Sequence, residues 1–511
     1  MAQVPTGPPS DEPLSEEEKF ADPRHGHPYD PLDDGKPHDA CGIVAVAADR
    51  PVASYIYYGL QALQHRGQES AGIVTLDGKF EFRSHKAMGL VDQIFDPDAI
   101  EKLRGHMGIG HVRYSTSAGS TEESAQPQVV MGAGGGIALA HNGNVPNAAE
   151  LMEDLQEKGW AFYTGNDTEV IVRLLANKLQ KHDGDFATAI GEVMDKLQGA
   201  YCFAIMVGDA LYAVRDPHAI KPLCIGRFPD GGHIVVSESV ALDVVGAEWV
   251  RDVRPGEVIQ ITNKEITTLL ERPADLPARC FFEYVYFARG DSFMDGRLNQ
   301  DVRENIGRIL WKESPVEADI VVPVPDSGRS HATGLAEASG IRYAEALMKN
   351  RYVHRTFIMP TQESRELNVR LKVNPIRQVL DGKRVILVDD SIVRGTTMRR
   401  IVRMLRNAGA KEVHLRIGAP AIVAPCYLGI DMSTREQLIA ANMDLKAICE
   451  NVGADSLAYI SIDGIVEAIG FPKKEMCLGC VTGKYPVPVA GEMLRDGTVV
   501  PGQRREEQHC C

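Results

Sequence analysis

The sequence predicts an α/β protein of more than one domain, and three observations carry that expectation. Its 511 residues exceed what one ordinary hydrophobic core accommodates. The run Val385-Ile386-Leu387-Val388 reads as a short strand buried on both faces. After a small turn, Met398, Ile401, Val402 and Leu405 recur at helical spacing. Far upstream, Cys41-Gly42-Ile43-Val44-Ala45-Val46 opens an apolar strand abruptly. The strands and two helical stretches behind it imply sheets layered between helices.

Composition narrows the class further. With 44% hydrophobic and 24% charged residues, the chain reads as soluble and globular. No run of about 18 apolar residues is present and no basic start precedes an apolar core, so neither membrane insertion nor secretion is expected. A net charge of -15 argues against nucleic acid as a principal ligand. Ten cysteines in a chain this long do not make a disulfide scaffold, and a cytoplasmic location is expected. Cys202, Cys224 and Cys449 lie in apolar surroundings and read as buried fillers.

In chain order, residues 1–40 are rich in Pro, Asp, Glu and His without helical or strand period, and are expected to be a disordered leader. A processing point between Ala40 and Cys41 would explain the abrupt strand; a flexible tail before an ordinary strand would do so too. Ile56, Leu60 and Leu63 mark the apolar face of a helix ending in Gln64-His65-Arg66-Gly67. Gly110-His111-Val112-Arg113, Gln126-Pro127-Gln128, His141-Asn142-Gly143-Asn144 and Asn166-Asp167-Thr168-Glu169 follow. Read singly these are bland: Asn142-Gly143 suits a hairpin turn, and Asn166 with Glu169 suits a capping box. Glu271-Arg272-Pro273-Ala274 reads as a linker.

Together, in this order behind Cys41, these motifs resemble the glutaminase domain of class II amidotransferases, the N-terminal-nucleophile type with an αββα sandwich. The resemblance covers roughly residues 41–272. It implies Cys41 as nucleophile with its own freed α-amino group as base, since that amine titrates near 7.7 to 8.0. It implies Asn142 and Gly143 as oxyanion donors, and Arg113 and Asp167 on the carboxylate and ammonium of glutamine. Arg66 joins that glutamine-binding set by supporting the Cys41 end.

In the second region, Asp389 and Asp390 stand at a strand's carboxyl end, before a hydroxyl-rich loop and a helix start. Such an arrangement suits a phosphorylated sugar, with carboxylates for its hydroxyls or a hydrated Mg2+. The run Val385 to Thr397 resembles the phosphoribosyl-pyrophosphate (PRPP) signature of type I phosphoribosyltransferases, a fold with a mainly parallel sheet. The resemblance implies PRPP contacts from Asp389, Asp390, Ser391, Arg394, Gly395, Thr396 and Thr397. It also implies Mg2+ near Ser327, Asp389 and Asp390. The basic stretch around Lys349, Tyr352 and Arg355 suits a loop closing over a ligand with three phosphates.

Cys477-x-x-Cys480 alone is open between zinc, redox and cluster readings. With Cys280 and Cys426 it gives four thiolates, suited to zinc or iron-sulfur. The segment Cys280 to Arg289 resembles the glutamine PRPP amidotransferase family, one branch of which carries a 4Fe-4S cluster at these four positions behind a processed leader. The implied division is a propeptide at 1–40, a glutaminase domain at 41–272, a transferase domain at 273–470 and a cluster-binding tail at 471–511. The resemblance further implies purine nucleotide inhibitors and a homotetramer. Two rival readings remain at this point: a PRPP-sensing regulator without catalysis, and an amidotransferase with a different acceptor.

Overall fold

The computed structural model describes residues 38–39, 41–77, 81–114, 121–132, 135–350, 373–432 and 434–502. The leader 1–37, Ala40, Tyr352, Arg355 and the last nine residues lie outside them. In chain order the first half begins β1 (Cys41–Ala47), α1 (Ala53–Ala62), β2 (Ser70–Leu76), β3 (Phe82–Met88), β4 (Met107–Arg113), β5 (Gln128–Gly132) and β6 (Gly135–Asn144). It continues α2 (Asp167–Lys181), α3 (Phe186–Met194), β7 (Ala200–Val207), β8 (Ala210–Arg215), β9 (Cys224–Arg227), β10 (His233–Val236), β11 (Glu248–Asp252), β12 (Glu257–Ile261) and β13 (Ile266–Glu271).

Two antiparallel sheets result, ordered β11-β9-β10-β1-β4-β2-β3 and β13-β12-β8-β7-β6-β5. The unbroken apolar run of β1 has a simple cause: its two faces serve different cores. Ile43 and Ala45 pack between the sheets against Ala138, Ala140 and Cys202, whereas Val44 and Val46 pack outward against α1. Helices α2 and α3 cover the outer face of the second sheet. The layers are therefore helix, sheet, sheet, helix. Asn142 and Gly143 lie inside β6, paired with Cys202 and Tyr201 of β7, so the hairpin-turn reading of this dipeptide is overturned. Asn166 does cap α2, accepting from Thr168 N at 2.7 Å, while Glu169 accepts from the backbone of Tyr163 and Thr164 instead of closing a capping box on Asn166.

The second half contains α4 (Asn299–Glu313), β14 (Ile320–Pro323), α5 (Arg329–Ser339), β15 (Arg384–Asp389), α6 (Thr396–Asn407), β16 (Glu412–Ile417) and β17 (Ser456–Tyr459). Its four strands run parallel in the order β14-β15-β16-β17. Alternation along β15 divides two cores: Ile386 and Val388 face α4 and α5, Val385 and Leu387 face the apolar stripe of α6. Each such side chain contributes about 1.5–3 kcal/mol by leaving water.

The linker does not swing free. Arg272 N donates to Gly256 O, Ala274 N to Pro217 O and Cys280 N to Ile220 O, which lays it along the first half. The C-terminal segment returns to the same place, where Met476–Cys477 pairs in parallel with Arg279–Cys280. Among the described residues no helix is long and apolar enough to cross a membrane.

Candidate functional sites

The first site lies between the two sheets at the start of β1. Strand β4 sits between β1 and β2, and places Arg113 opposite Cys41 on one side and Ser70 on the other. Alternation puts these three side chains on the inter-sheet face, the face that Asn142 shares through Ala138 and Ala140. All four residues are buried.

Their unmet hydrogen bonds define the site. Among the described residues, neither Nε, Nη1 nor Nη2 of Arg113 has a partner, although the side chain is 0% exposed. Both amide atoms of Asn142 and the Ser70 hydroxyl are in the same condition. A guanidinium taken out of water without a counter-charge costs several kcal/mol, so this set is stable only when a ligand or ordered water answers it. A planar fork suits a carboxylate, and an amide N–H beside a thiol suits a developing oxyanion. Gly143 fits the same purpose. Its φ of 142° favours glycine, and an added Cβ would fall 2.0 Å from Ala200 O.

Neighbouring groups are held by the protein. Asp167 accepts from Val145 N at 3.2 Å and lies 3.3 Å from His141 Nδ1. Burial pushes His111 down to about 3, so its imidazole is neutral, with Nε2 3.0 Å from His141 O. Arg66 donates from Nε to Cys41 O at 3.0 Å and spends both Nη groups on Glu238 and Glu283. It therefore grips the backbone carbonyl of Cys41. Burial alone would raise Glu238, but His65 and Arg66 outweigh it and hold the carboxyl well below the usual carboxylate range. Lys221, also fully buried, donates to Glu283 at 3.2 Å. Sequence reasoning assigned no role to Ser70, Glu238, Glu283 or Lys221. The one available signal was an acid inside the aromatic run Phe281-Phe282-Glu283-Tyr284.

The second site sits at the carboxyl edge of the parallel sheet. Asp389 ends β15 and Asp390 follows it, both buried; Asp390 N donates to Asp389 Oδ1 at 2.9 Å and Ser391 Oγ to Asp390 Oδ1 at 2.6 Å. Gly395 takes a φ of 77° and lets the chain turn into α6, so Thr396 and Thr397 form a helix start beside the acids. The loop bearing Ser327 packs against the same edge, since a Cβ on Gly328 would meet Val388 O at 2.4 Å. Lys349 reaches Asp326 Oδ2 at 3.3 Å.

Between the sites, Cys280, Cys426, Cys477 and Cys480 are buried in one apolar cluster. Cys280 and Cys477 are register partners, and Leu428 N donates to Cys426 Sγ at 3.4 Å. Burial, reinforced by one another's charge, pushes these thiols up, Cys426 to about 11. Four thiols and a backbone N–H donor form a chemically suitable set for a cluster. Among the described residues no three His, Cys, Asp or Glu side chains close on a single-ion site. Cys202 and Cys224 are core fillers; Cys449 is only partly buried. The cluster loop also touches the first site: Asn144 Nδ2 donates to Tyr427 O at 2.8 Å, and a Cβ on Gly429 would fall 2.9 Å from Gly143.

Comparison with known proteins adds independent findings. Residues 111–244 match a glutamine amidotransferase domain and residues 295–417 a phosphoribosyl transferase domain. The chain is 52% identical over 472 residues to an amidophosphoribosyltransferase of Methanocaldococcus jannaschii, covering 89% of this chain and 99% of that one. It is 44% identical over 471 residues to the Bacillus subtilis amidophosphoribosyltransferase, covering 91% and 96%. A solved structure of the glutamine PRPP amidotransferase from B. subtilis, complexed with ADP and GMP, superposes with a TM-score of 0.82 at 43% identity. That match covers 90% of this chain and 99% of the other.

Proposed function

The chain belongs to the amidophosphoribosyltransferase family, and from that premise we propose how its own residues carry out the glutamine-dependent amination of PRPP that opens de novo purine synthesis. Glutamine, PRPP and water give 5-phosphoribosylamine, glutamate and pyrophosphate. The observation that carries this reading is the unanswered, fully buried Arg113 guanidinium beside Cys41 and Asn142, in one chain with the acid-ended strand β15.

Arg113 takes the α-carboxylate of glutamine and Asp167 its α-ammonium. The Cys41 thiolate attacks the carboxamide carbon, while Asn142 Nδ2 and Gly143 N–H receive the oxyanion. The α-amino group of Cys41, free once the peptide bond to Ala40 is cleaved, takes the thiol proton and returns it to the departing ammonia. Water then hydrolyses the glutamyl thioester to glutamate.

At the second site Asp389 and Asp390 hold the ribose hydroxyls, and Ser391, Arg394, Gly395, Thr396 and Thr397 wrap the 5-phosphate. Lys349, with Tyr352 and Arg355 outside the described residues, neutralises pyrophosphate. Ammonia attacks C1 of the ribose as the C1–O bond to pyrophosphate breaks, and the new amine gives up a proton. Ser327, Asp389 and Asp390 would hold Mg2+, which when bound supplies positive charge to the leaving group. Cys280, Cys426, Cys477 and Cys480 would hold a 4Fe-4S cluster, tying the tail to the linker and to the loop above Gly143. What favours a cluster over zinc is the resemblance to the family branch that carries cysteines at these four positions. Purine nucleotides, whose phosphates resemble those of PRPP, are the proposed inhibitors, and the assembly a homotetramer.

The test follows amide nitrogen. Glutamine labelled with 15N at the amide should deliver the label to phosphoribosylamine in the presence of PRPP. Label released only as free ammonium, or passed to a different sugar, would overturn the reading. N-terminal sequencing of active protein should begin at Cys41, and iron with sulfide, rather than zinc, should accompany anaerobic preparations.

A further inference from the structure

Glu283 stands in the second half of the chain, directly after the linker, yet its carboxylate reaches the nucleophile of the first half. It is 1% exposed. Its Oε1 accepts from Arg66 Nη2 at 2.9 Å and from Lys221 Nζ at 3.2 Å, and its Oε2 accepts from Arg66 Nη1 and Nη2, both at 3.1 Å. Arg66 in turn holds Cys41 O at 3.0 Å through Nε. Glu238 grips the other side of the guanidinium and accepts from Arg289 N at 2.9 Å and Ser292 Oγ at 2.6 Å. Two cations and two carboxylates thus form a buried quartet, joined by His65 at 2.7 Å from Glu238, and through Arg66 Nε it reaches the carbonyl of Cys41.

We propose that Glu283 is a positioning residue for Cys41, contributed by the transferase half of the chain, which leaves the glutaminase site incomplete without that half. The physical case rests on geometry. A guanidinium held on both flanks by carboxylates has one orientation, so its Nε–H, and with it the Cys41 carbonyl, is fixed. Remove one flank and the guanidinium turns toward Glu238, releasing the first residue of β1. A displacement of about 1 Å at a reacting atom costs roughly 10²-fold in rate. Glu283 also begins a single turn of π-helix, Glu283–Phe287, whose flanking carbonyls Tyr284 O and Ala288 O accept from Arg303. Such turns are rare and concentrate at functional sites. The anchor of Cys41 is therefore built on a turn that Arg303 also holds through two backbone carbonyls.

The inference rests on the glutaminase reading above, and the parent enzyme's glutamine-dependent turnover separates the two: its absence sinks that reading, its presence isolates the test of Glu283. In the full chain, Glu283→Gln keeps size and one hydrogen bond but unbalances the quartet. Its kcat with glutamine should fall at least tenfold, with KM for glutamine within threefold, because Arg113 and Asp167 are untouched. Turnover with ammonium in place of glutamine should stay within twofold. Lys221→Met/Glu283→Gln restores charge balance without restoring the fork, and carries the test if the single variant does not fold. It should remain at least tenfold down with glutamine alone. Glutamine turnover within twofold of the parent in either variant, or a parallel loss of ammonium turnover, would overturn the proposal.

Discussion

The two sites solve the same problem, holding a polar substrate, in opposite ways. Around Cys41 the groups are inside a sandwich and fully buried, and among the described residues the side chains of Arg113 and Asn142 find no hydrogen-bond partners. At the end of β15 the backbone and carboxylates satisfy one another at a sheet edge, as Ser391 to Asp390 and Asp390 N to Asp389 do. The first arrangement is preorganised for a small ligand that offers acceptors to the Arg113 fork and the Asn142 amide. The second is a cradle that a large polyanion completes with its own charge. Unmet polarity thus marks a site for a small ligand, whereas a strand-loop-helix edge marks one for phosphates.

The contrast breaks most sharply at the nucleophile. Cys41→Ala should abolish glutamine-dependent turnover, by about 10³-fold or more, while turnover with ammonium persists; loss of both would mean that the two regions are not separable. Asn142→Ala should lower glutamine kcat by about 10²–10³-fold, with ammonium turnover again unchanged, as steady-state rates with either nitrogen source will show. Asp390→Asn should do the reverse of a selective lesion, lowering both activities by about 10²-fold. An enzyme that kept its ammonium activity would remove the carboxylate from the PRPP cradle. Gly429→Ala forces a side chain toward Gly143 at a φ of 99° and should cost about tenfold with glutamine, and little with ammonium, in the same pair of assays.

The remaining prediction concerns stability. His111 titrates near 3 when folded and near 6.5 when unfolded, so the unfolded chain binds the extra proton between those values. Its contribution is present above pH 6.5 and is lost as pH falls, by about 1.4 kcal/mol per unit, until the folded group protonates as well. His111→Gln should therefore flatten the acid limb of unfolding free energy against pH, measured by denaturant titration. An unchanged slope would show that the buried imidazole does not set it.

Much of this was legible beforehand, for identifiable reasons. Apolar alternation and helical spacing announced β1, β15 and α6, because burial of a face leaves a period in the chain. Cys41, Arg113 and the Asp389-Asp390 pair stood out through the resemblance of the motifs that carry them, and the structure places Cys41 opposite Arg113 and both acids at one sheet edge. The environment of Asn142-Gly143 was not, since a dipeptide that favours turns becomes strand when β7 pairs with it over eight residues. Nor was the role of Glu283. Its partners Arg66 and Lys221 are 217 and 62 positions away, and nothing local announces such a meeting.

Side-chain type and short-range spacing are enough to give the principal elements and the candidate reactive groups. Only the tertiary structure decided which groups share a buried space: that Arg66 serves the Cys41 carbonyl, that a glutamate from the second half steadies it, and that the cysteine-bearing loop rests on Gly143. The reason is physical. Period and propensity act over a few residues, whereas the energy of a buried charge depends on whatever the fold brings beside it, however distant along the chain.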